Sequence, residues 1–323
     1  QQSHICHTLA LAYDLSGQGS KAIDLYKRSA RIDEGLGNHK DQAITMRSLV
    51  DALFWSGRFR EAELLGIETL KINIRMADRY SQAATLRYWG LPFAARGFVN
   101  EATKTLGKSI DIFMALQQSE PGGLSEAYFA MHCYWIGDYE RCLAAANRSF
   151  RLVEKSEVRR DVIRAKRLQG FAQYGLGNLE AAQELLVNSL ETARKVNFIH
   201  EEIYSLLGLA RINLALEEYE PALEKLDGIW ELAERGPYPL FLADAYNILG
   251  RVSQAIGDIQ RAIDAAKKAY SAAWCDGQLY SYHWGLKLAS EILDELGEEP
   301  PNVPYFDQIQ PADMVKLDID SLL

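Results

Sequence analysis

Glycine recurs in this 323-residue chain at positions separated by 40 residues or by a multiple of 40. The series is Gly17, Gly57, Gly97, Gly137, Gly177, Gly257 and Gly297, with Glu217 at the one remaining position. A fixed period of this size is typical of repeat proteins, in which each unit packs only against its neighbours. The spacing therefore predicts a single array that presents a long binding surface.

Small residues keep a constant distance from these turn positions. Five residues after the turn lie Ala22, Ala62, Ala102, Cys142, Ala182, Ala222 and Ala262. Seven residues before it lie mostly small residues: Ala10, Val50, Gly90, Ala130, Gly170, Ala210, Gly250 and Ser290. Small side chains let two helices approach closely, and glycine suits the end of the first helix. Each unit is predicted to be a helix A, a tight turn and a helix B, with turns near 17, 57, 97, 137, 177, 217 and 257.

The segments between the turns have helical periodicity. Residues 179–194 place apolar side chains at 182, 185, 186 and 190, which is one face of a helix. We find no sustained alternation of the kind that marks strands, so the predicted class is all-α. Glycine and proline clusters predict the connectors between units at 35–38, 120–123, 236–239 and 276–277.

These offsets resemble the tetratricopeptide repeat (TPR), as in Leu249-Gly250, Gly257-Asp258-Ile259 and Ala262. The usual TPR period is about 34 residues, so the additional residues must lengthen either the helices or the connectors. The resemblance implies a right-handed α-solenoid over residues 1–297, with seven repeats and a capping helix at 279–296. The proline-containing acidic tail, 298–323, is interpreted either as an extension lying on the last helices or as a docking peptide for another chain.

Composition excludes several classes of function. A net charge of −9 argues against nucleic-acid binding, and no apolar run reaches the length of a membrane span. The four cysteines show no pairing pattern, which favours a cytoplasmic location. The chain starts without Met and already within a helix A, so we expect a further domain upstream in the same polypeptide.

No catalytic motif is present. The sequence lacks a phosphate-binding loop and an HExxH motif, and His4-Ile5-Cys6-His7 has no fourth ligand in view. We therefore predict neither an enzyme nor a cofactor nor a metal site.

The A helices of TPR arrays line the inner, concave groove, at positions 10, 6 and 3 residues before the turn. Arginine and aromatic residues dominate these faces here, and they form the predicted ligand-binding set: Arg47, Arg87, Tyr134, Arg164, Arg167, Phe171, Tyr174, Tyr204, Arg211, Asn247, Arg251 and Trp284. Arginine binds carboxylates and phosphates in a bidentate manner, so the groove is predicted to hold an acidic protein segment or an anionic small ligand. The alternative is that the arginines pair with carboxylates of adjacent helices while the aromatic residues fill space between them.

The C-terminal repeat carries a second resemblance. Residues 272–277, Tyr282-His283-Trp284-Gly285-Leu286 and Leu296-Gly297 look like the end of TPR arrays in bacterial signal-transduction NTPases of the STAND type. The resemblance implies a sensor that regulates an upstream NTPase. The alternative function is a constitutive adaptor between proteins, with no switching role.

Overall fold

The computed structural model describes residues 1–304, which form α-helices joined by short turns and include no β-strand. The helices are α1 (Gln2–Leu15), α2 (Gly19–Gly35), α3 (His39–Trp55), α4 (Phe59–Arg75), α5 (Arg79–Ala95), α6 (Val99–Ala115), α7 (Ser119–Trp135), α8 (Tyr139–Val153), α9 (Arg159–Gly175), α10 (Leu179–Lys195), α11 (Ile199–Ala215), α12 (Tyr219–Arg235), α13 (Pro239–Ala255), α14 (Ile259–Ala273) and α15 (His283–Leu296). Successive pairs form repeats 1 to 7, with the odd-numbered helix as helix A. The chain between α14 and α15 makes a 3-10 turn, Gln278–Tyr280, so the capping helix begins later than the sequence predicted.

The backbone repeats every 20 residues, half the period of the glycines. Left-handed residues end the helices within repeats, and they also occur between repeats at Gly37, Ala77, Gln117 and Asn197. Both kinds of turn are closed by a backbone hydrogen bond between residues five apart. Within repeat 2 the N–H of Arg58 donates to Leu53 O over 2.9 Å, and between repeats 2 and 3 the N–H of Asp78 donates to Asn73 O over 3.0 Å. Because most helices have 17 residues and the connectors stay short, the additional length of each repeat lies in its helices.

The prediction of a connector at 120–123 is wrong. These residues form the first turn of α7, which begins at Ser119. Pro121 is tolerated there because the first turn of a helix has no internal partner for its N–H groups.

The small residues lie where helix A and helix B of one repeat touch. A Cβ added at Gly90 would lie 2.8 Å from the side chain of Leu106, and one at Gly170 would lie 2.9 Å from Leu186. Ala102 and Ala182, on the facing helices, are completely buried. The predicted close approach of the two helices is therefore confirmed, and it sets the position of each helix A against its helix B.

The array curls until its ends meet. Gly17 in repeat 1 contacts Ile199 at the start of repeat 6. Gly57 in repeat 2 packs so tightly on Pro239 at the start of repeat 7 that an added Cβ would lie 2.7 Å away. Gly97 in repeat 3 makes the same kind of contact with the first residue of α15. We call this line of contacts the seam.

Polar bonds to backbone atoms hold the seam together. Ser20 N donates to Gly236 O over 3.2 Å, and Arg60 N donates to the Asp276 carboxylate over 3.1 Å. Further along, Arg96 Nε donates to Leu279 O over 2.6 Å, and Trp284 Nε1 donates to Ala94 O over 2.8 Å. The seam thus extends over repeats 1 to 3 on one side and repeats 6, 7 and α15 on the other.

The first residues of the tail lie on the last repeat. Trp274 Nε1 donates to Pro304 O over 3.0 Å, and Lys267 forms an ion pair with Glu298. The remainder of the predicted tail, residues 305–323, lies outside the described residues. In the described part of the chain, no helix has the length and apolar character needed to cross a membrane.

Glu217 allows a test of the turn geometry. It takes φ of +60°, as the glycines do, and its side chain is exposed. A non-glycine residue in this conformation is strained, so Glu217→Gly should raise the free energy of unfolding by about 0.5–1 kcal/mol, measured by urea denaturation.

Gly177→Ala is the matched control. Gly177 has φ of +82° and no atom within 4 Å of an added Cβ, so only backbone strain changes. This variant should be destabilised by about 1 kcal/mol. Equal stability of both variants with the wild type would contradict the assignment of a strained turn at 217.

Candidate functional site

The axis of the curled array is filled by aromatic side chains. Trp55 stacks on Phe241 with ring centroids 5.3 Å apart, and Tyr204 lies 4.7 Å from Phe241 and 5.9 Å from Phe171. Tyr134 extends the cluster, with its ring 4.8 Å from that of Phe171. We call these five residues the axial plug. Trp55 of the plug lines one cavity, called the N-terminal cavity, and Tyr134 lines a second, called the C-terminal cavity.

The side chain of Arg167 is buried against the axial plug. Its Nε lies 2.5 Å from Glu201 Oε2, and its guanidinium lies 4.1 Å from the centre of the Tyr204 ring and 5.0 Å from that of Phe171. Both partners of the ion pair are buried. A buried charge requires such a partner because water no longer solvates it.

The N-terminal cavity has a volume of about 260 Å³. Helices A of repeats 1 to 6 surround it, together with one residue of α2. Its lining comprises Leu11, Asp14, Leu15, Tyr26, Ser48, Asp51, Trp55, Tyr88, Leu124, Tyr128, Val158, Arg160, Asp161, Arg164, Phe198 and His200. Its wall therefore includes residues from both sides of the seam.

Two carboxyl groups that line this cavity, Asp14 and Asp51, form no ion pair with a described residue. Burial and the neighbouring Asp51 raise the pKa of Asp14 to about 8, against a smaller opposing effect of Arg160. Burial raises the pKa of Asp51 to about 6, although Trp55 Nε1 donates to this carboxylate over 3.1 Å. Asp14 Oδ1 is buried and has no hydrogen-bond partner among the described residues. Asp14 is therefore mostly protonated at neutral pH.

Basic groups occupy the opposite wall. Arg164 forms ion pairs with Asp161 and Glu201, at 3.1 and 3.2 Å. Arg160 lies over the Phe198 ring and forms no ion pair with any residue that the structure describes. Burial and Arg164 lower the pKa of His200 to about 3, so its imidazole is neutral. We call the side of the cavity with Asp14 and Asp51 the acidic wall and the side with Arg160, Arg164 and His200 the basic wall, which Asp161 also lines.

The C-terminal cavity, about 350 Å³, is bordered by α7, α8, α11, α13 and α15. Arg211 donates to Asp244 over 3.0 Å at its wall, and the Tyr282 hydroxyl donates to the same carboxylate over 3.2 Å. Tyr134, Trp135 and Trp284 contribute aromatic surface. Across residues 1–304, no group of three His, Cys, Asp or Glu side chains is placed to hold a metal ion.

The predicted ligand-binding residues are distributed over these features. Tyr134, Arg211 and Trp284 meet at the C-terminal cavity, and Arg164 lines the N-terminal one. Arg167, Phe171 and Tyr204 are buried in or beside the axial plug. The binding role of every member of the predicted set stays a prediction.

The other predicted residues lie outside both cavity linings. Arg87 donates to Pro121 O over 3.1 Å, and Asn247 donates to Gly285 O over 2.9 Å. Arg251 pairs with Glu295, and Tyr174 is a half-buried neighbour of the core. Arg47 is half-buried and forms no ion pair in the described part of the chain.

Sequence reasoning missed the acidic wall. Asp14 is three residues before the first turn glycine and Asp51 is six residues before the second, both at positions that face the groove. The repeat period therefore assigns both carboxylates to the groove, beside the arginine and aromatic residues of the predicted set. Arg160 and His200 occupy helix starts, which the groove positions do not cover.

Solved structures share this architecture. A tetratricopeptide repeat protein from Parabacteroides merdae superposes with a TM-score of 0.53 at 13% identity, covering 92% of this chain and 100% of that one. A Rap protein complexed with Competence and Sporulation Factor gives a TM-score of 0.56 at 13% identity, covering 91% and 98%. The chain has the TPR fold. At these identities the similarity concerns the fold alone.

A STAND protein with a TPR sensor, from Pyrococcus horikoshii, is also similar, with a TM-score of 0.46 at 19% identity. This chain covers 43% of its length, and 91% of this chain is matched. No family model and no curated protein matches the sequence.

Removing Arg167 should destabilise the TPR array strongly. Arg167→Met keeps much of the side-chain volume but leaves Glu201 with one fewer buried partner, so we expect a loss of about 3 kcal/mol. Arg251→Met breaks the partly exposed pair with Glu295 and should cost less than about 1 kcal/mol. Denaturant unfolding measures both, and similar losses would show that the position in the plug does not matter.

Asp14→Asn should change the pH dependence of stability. The folded state raises the pKa of Asp14 from 3.8 to about 8, so its neutral form is favoured and wild-type stability falls as pH rises through this range. The variant has no proton to lose. Between pH 5 and pH 8 it should gain about 3–4 kcal/mol relative to the wild type.

The titratable groups that interact electrostatically with Asp14 are Asp51, Arg160, Tyr26 and Tyr238. The cavity is also lined by Tyr88, Tyr128, Asp161, Arg164 and His200. Asp227→Asn, on the exposed side of α12, is the control and should show no such gain. Urea titrations at several pH values give the comparison. A pH-independent difference between Asp14→Asn and the wild type would refute the burial of this carboxyl group.

Proposed function

We propose that this TPR array is a non-catalytic ligand-binding scaffold and forms the sensor region of a larger, cytoplasmic STAND-type signalling protein. One observation carries the proposal: the wall of the N-terminal cavity comes from both sides of the seam. Asp14 lies at the end of α1, whereas Phe198 and His200 lie at the start of α11. A ligand between them contacts repeats 1 and 6 together.

Such a ligand would favour the closed array. A ligand shifts an equilibrium only by its difference in affinity for the two states. Opening the seam separates α1 from α11, so a ligand that bridges them loses half of its contacts in the open form. An upstream domain of the same polypeptide would then respond to closure.

The arginine residues of repeats 2 and 3 support an acidic or anionic partner for the groove. Arg87 Nε is buried without a partner among the described residues, and Arg47 forms no ion pair there. Burial and the nearby Arg87 lower the pKa of Arg47. A carboxylate-rich protein segment at this site would relieve the repulsion between the two guanidinium groups.

A constitutive protein–protein adaptor is the second candidate. It is favoured by the axial plug, because a densely packed aromatic interior resists rearrangement. A phosphate-binding loop in a domain of the same polypeptide would favour the sensor over the adaptor.

Spin-label distances across the seam distinguish the two candidates. Nitroxide labels at Lys21→Cys and Glu234→Cys would stand on opposite sides of the Ser20–Gly236 contact, in a Cys275→Ser background. We expect double electron–electron resonance to show one short distance in the closed array. Adding Trp284→Ala, which removes the bond to Ala94 O, should introduce a second, longer distance while the helical circular dichroism stays unchanged.

Labels at Glu184→Cys and Glu224→Cys are the control. Both side chains are exposed, on α10 and α12, and do not span the seam. Their distance should not respond to Trp284→Ala. If the seam distance also stays single and unchanged, the array is rigid and the adaptor is the better description.

A further inference from the structure

We infer that the N-terminal cavity recognises a small zwitterion, a free amino acid or a dipeptide, with its ammonium group at Asp14 and Asp51 and its carboxylate at Arg160. The inference rests on the proposed function and names the class of ligand for its sensor site. It differs from the anionic partner expected of the groove because the cavity wall carries both signs of charge.

The acidic wall has the features of an ammonium site. Asp14 and Asp51 are close enough for each to affect the charge of the other, and neither forms an ion pair with a described residue. Asp14 Oδ1 is buried and lacks any hydrogen-bond donor. An ammonium group supplies three donors and a positive charge. The rings of Tyr26 and Trp55 line the same cavity, and Trp55 Nε1 donates to Asp51.

On the basic wall, the guanidinium group of Arg160 is available to bind a ligand. Arg164 already faces two carboxylates, whereas Arg160 forms no ion pair in the described chain. A ligand carboxylate at Arg160 would complete a bidentate pair. His200 Nε2 is a second buried atom without a partner, and its neutral ring is available to donate or accept one hydrogen bond.

The size of the cavity limits the ligand. Its 260 Å³ corresponds to about nine water molecules at roughly 30 Å³ each. A longer peptide would not fit, and part of it would extend out of the cavity into the solvent. An amino acid or a dipeptide therefore fits with both charged ends inside.

Binding should release a proton. The carboxyl groups of Asp14 and Asp51 share their environment, and burial together with Asp51 keeps Asp14 mostly protonated at neutral pH. An ammonium group beside them favours the ionised form, so the proton leaves to the buffer as the ion pair forms. Affinity should consequently increase from pH 6 to pH 7, where fewer protons have to be displaced from the two carboxyl groups and the ligand's own ammonium group is still charged.

The test is a thermal-shift screen of the whole chain at pH 7 against the proteinogenic amino acids and every dipeptide built from them. We expect at least one member to raise Tm, and isothermal titration in buffers of different ionisation enthalpy to report proton release. The N-acetylated and the amidated forms of that compound should each bind at least tenfold more weakly. A screen without any stabilising member would overturn the inference.

Variants locate the site. Asp14→Asn, Asp51→Asn and Arg160→Gln should each weaken binding at least tenfold, and Asp14→Asn should also abolish proton release. Asp227→Asn and Arg28→Gln, both at exposed positions, should bind as the wild type does. Binding that survives all three cavity variants would place the ligand elsewhere and reject this site.

The spin-label pair across the seam separates this inference from the proposed function. Should the seam open in Trp284→Ala while no zwitterion binds, the sensor stands and its ligand class is wrong. Should a zwitterion bind to Trp284→Ala without shifting its seam distances towards the short one, the site stands and the sensor role is rejected.

Discussion

The close contact between helix A and helix B within each repeat is the constraint on which the rest of the structure depends. Gly170 against Leu186 shows how little room is left at this contact. Because the same contact and the same left-handed turn recur every few helices, each repeat is rotated against the previous one by a similar amount. A regular rotation accumulates into a superhelix, and here it brings Gly17 against Ile199 and Gly57 against Pro239. The seam is thus a consequence of local packing at the small residues.

Closure of the superhelix places the inner faces of the A helices in an environment with little water. Charges there are costly unless they are paired or neutralised, and two residues illustrate the two solutions. Arg167 is paired with Glu201 and stacked on aromatic rings, so its charge is retained. Asp14 has no such partner, and the rise in the pKa of its carboxyl group keeps it neutral instead. The paired arginines agree with the second interpretation of the arginine faces, in which the carboxylates of neighbouring helices satisfy them.

The sequence predicted the repeat class and the turns because both depend on contacts within one repeat. It placed a connector at 120–123 wrongly, since Pro121 and its glycines are equally compatible with the first turn of a helix. The seam could not be predicted, because the residues that meet there are far apart in the chain and the curvature that joins them depends on small rotations. The repeat period predicts that Asp14 faces the groove. It does not predict that Asp14 lies near Arg160 and His200, because that proximity depends on the curvature of the whole array.

A site on one wall of an open groove and a site inside a closed array differ in what binding does to the protein. In an open groove a ligand contacts side chains that are already fixed, and its binding energy does not reach the seam. In the N-terminal cavity the acidic wall includes α1 and the opposite wall includes α9 and α11, so the same contacts that hold a ligand also hold the ends of one superhelical turn together. The orphaned Asp14 Oδ1 and His200 Nε2 stand on these two sides. One molecule that satisfied both atoms would therefore stabilise closure.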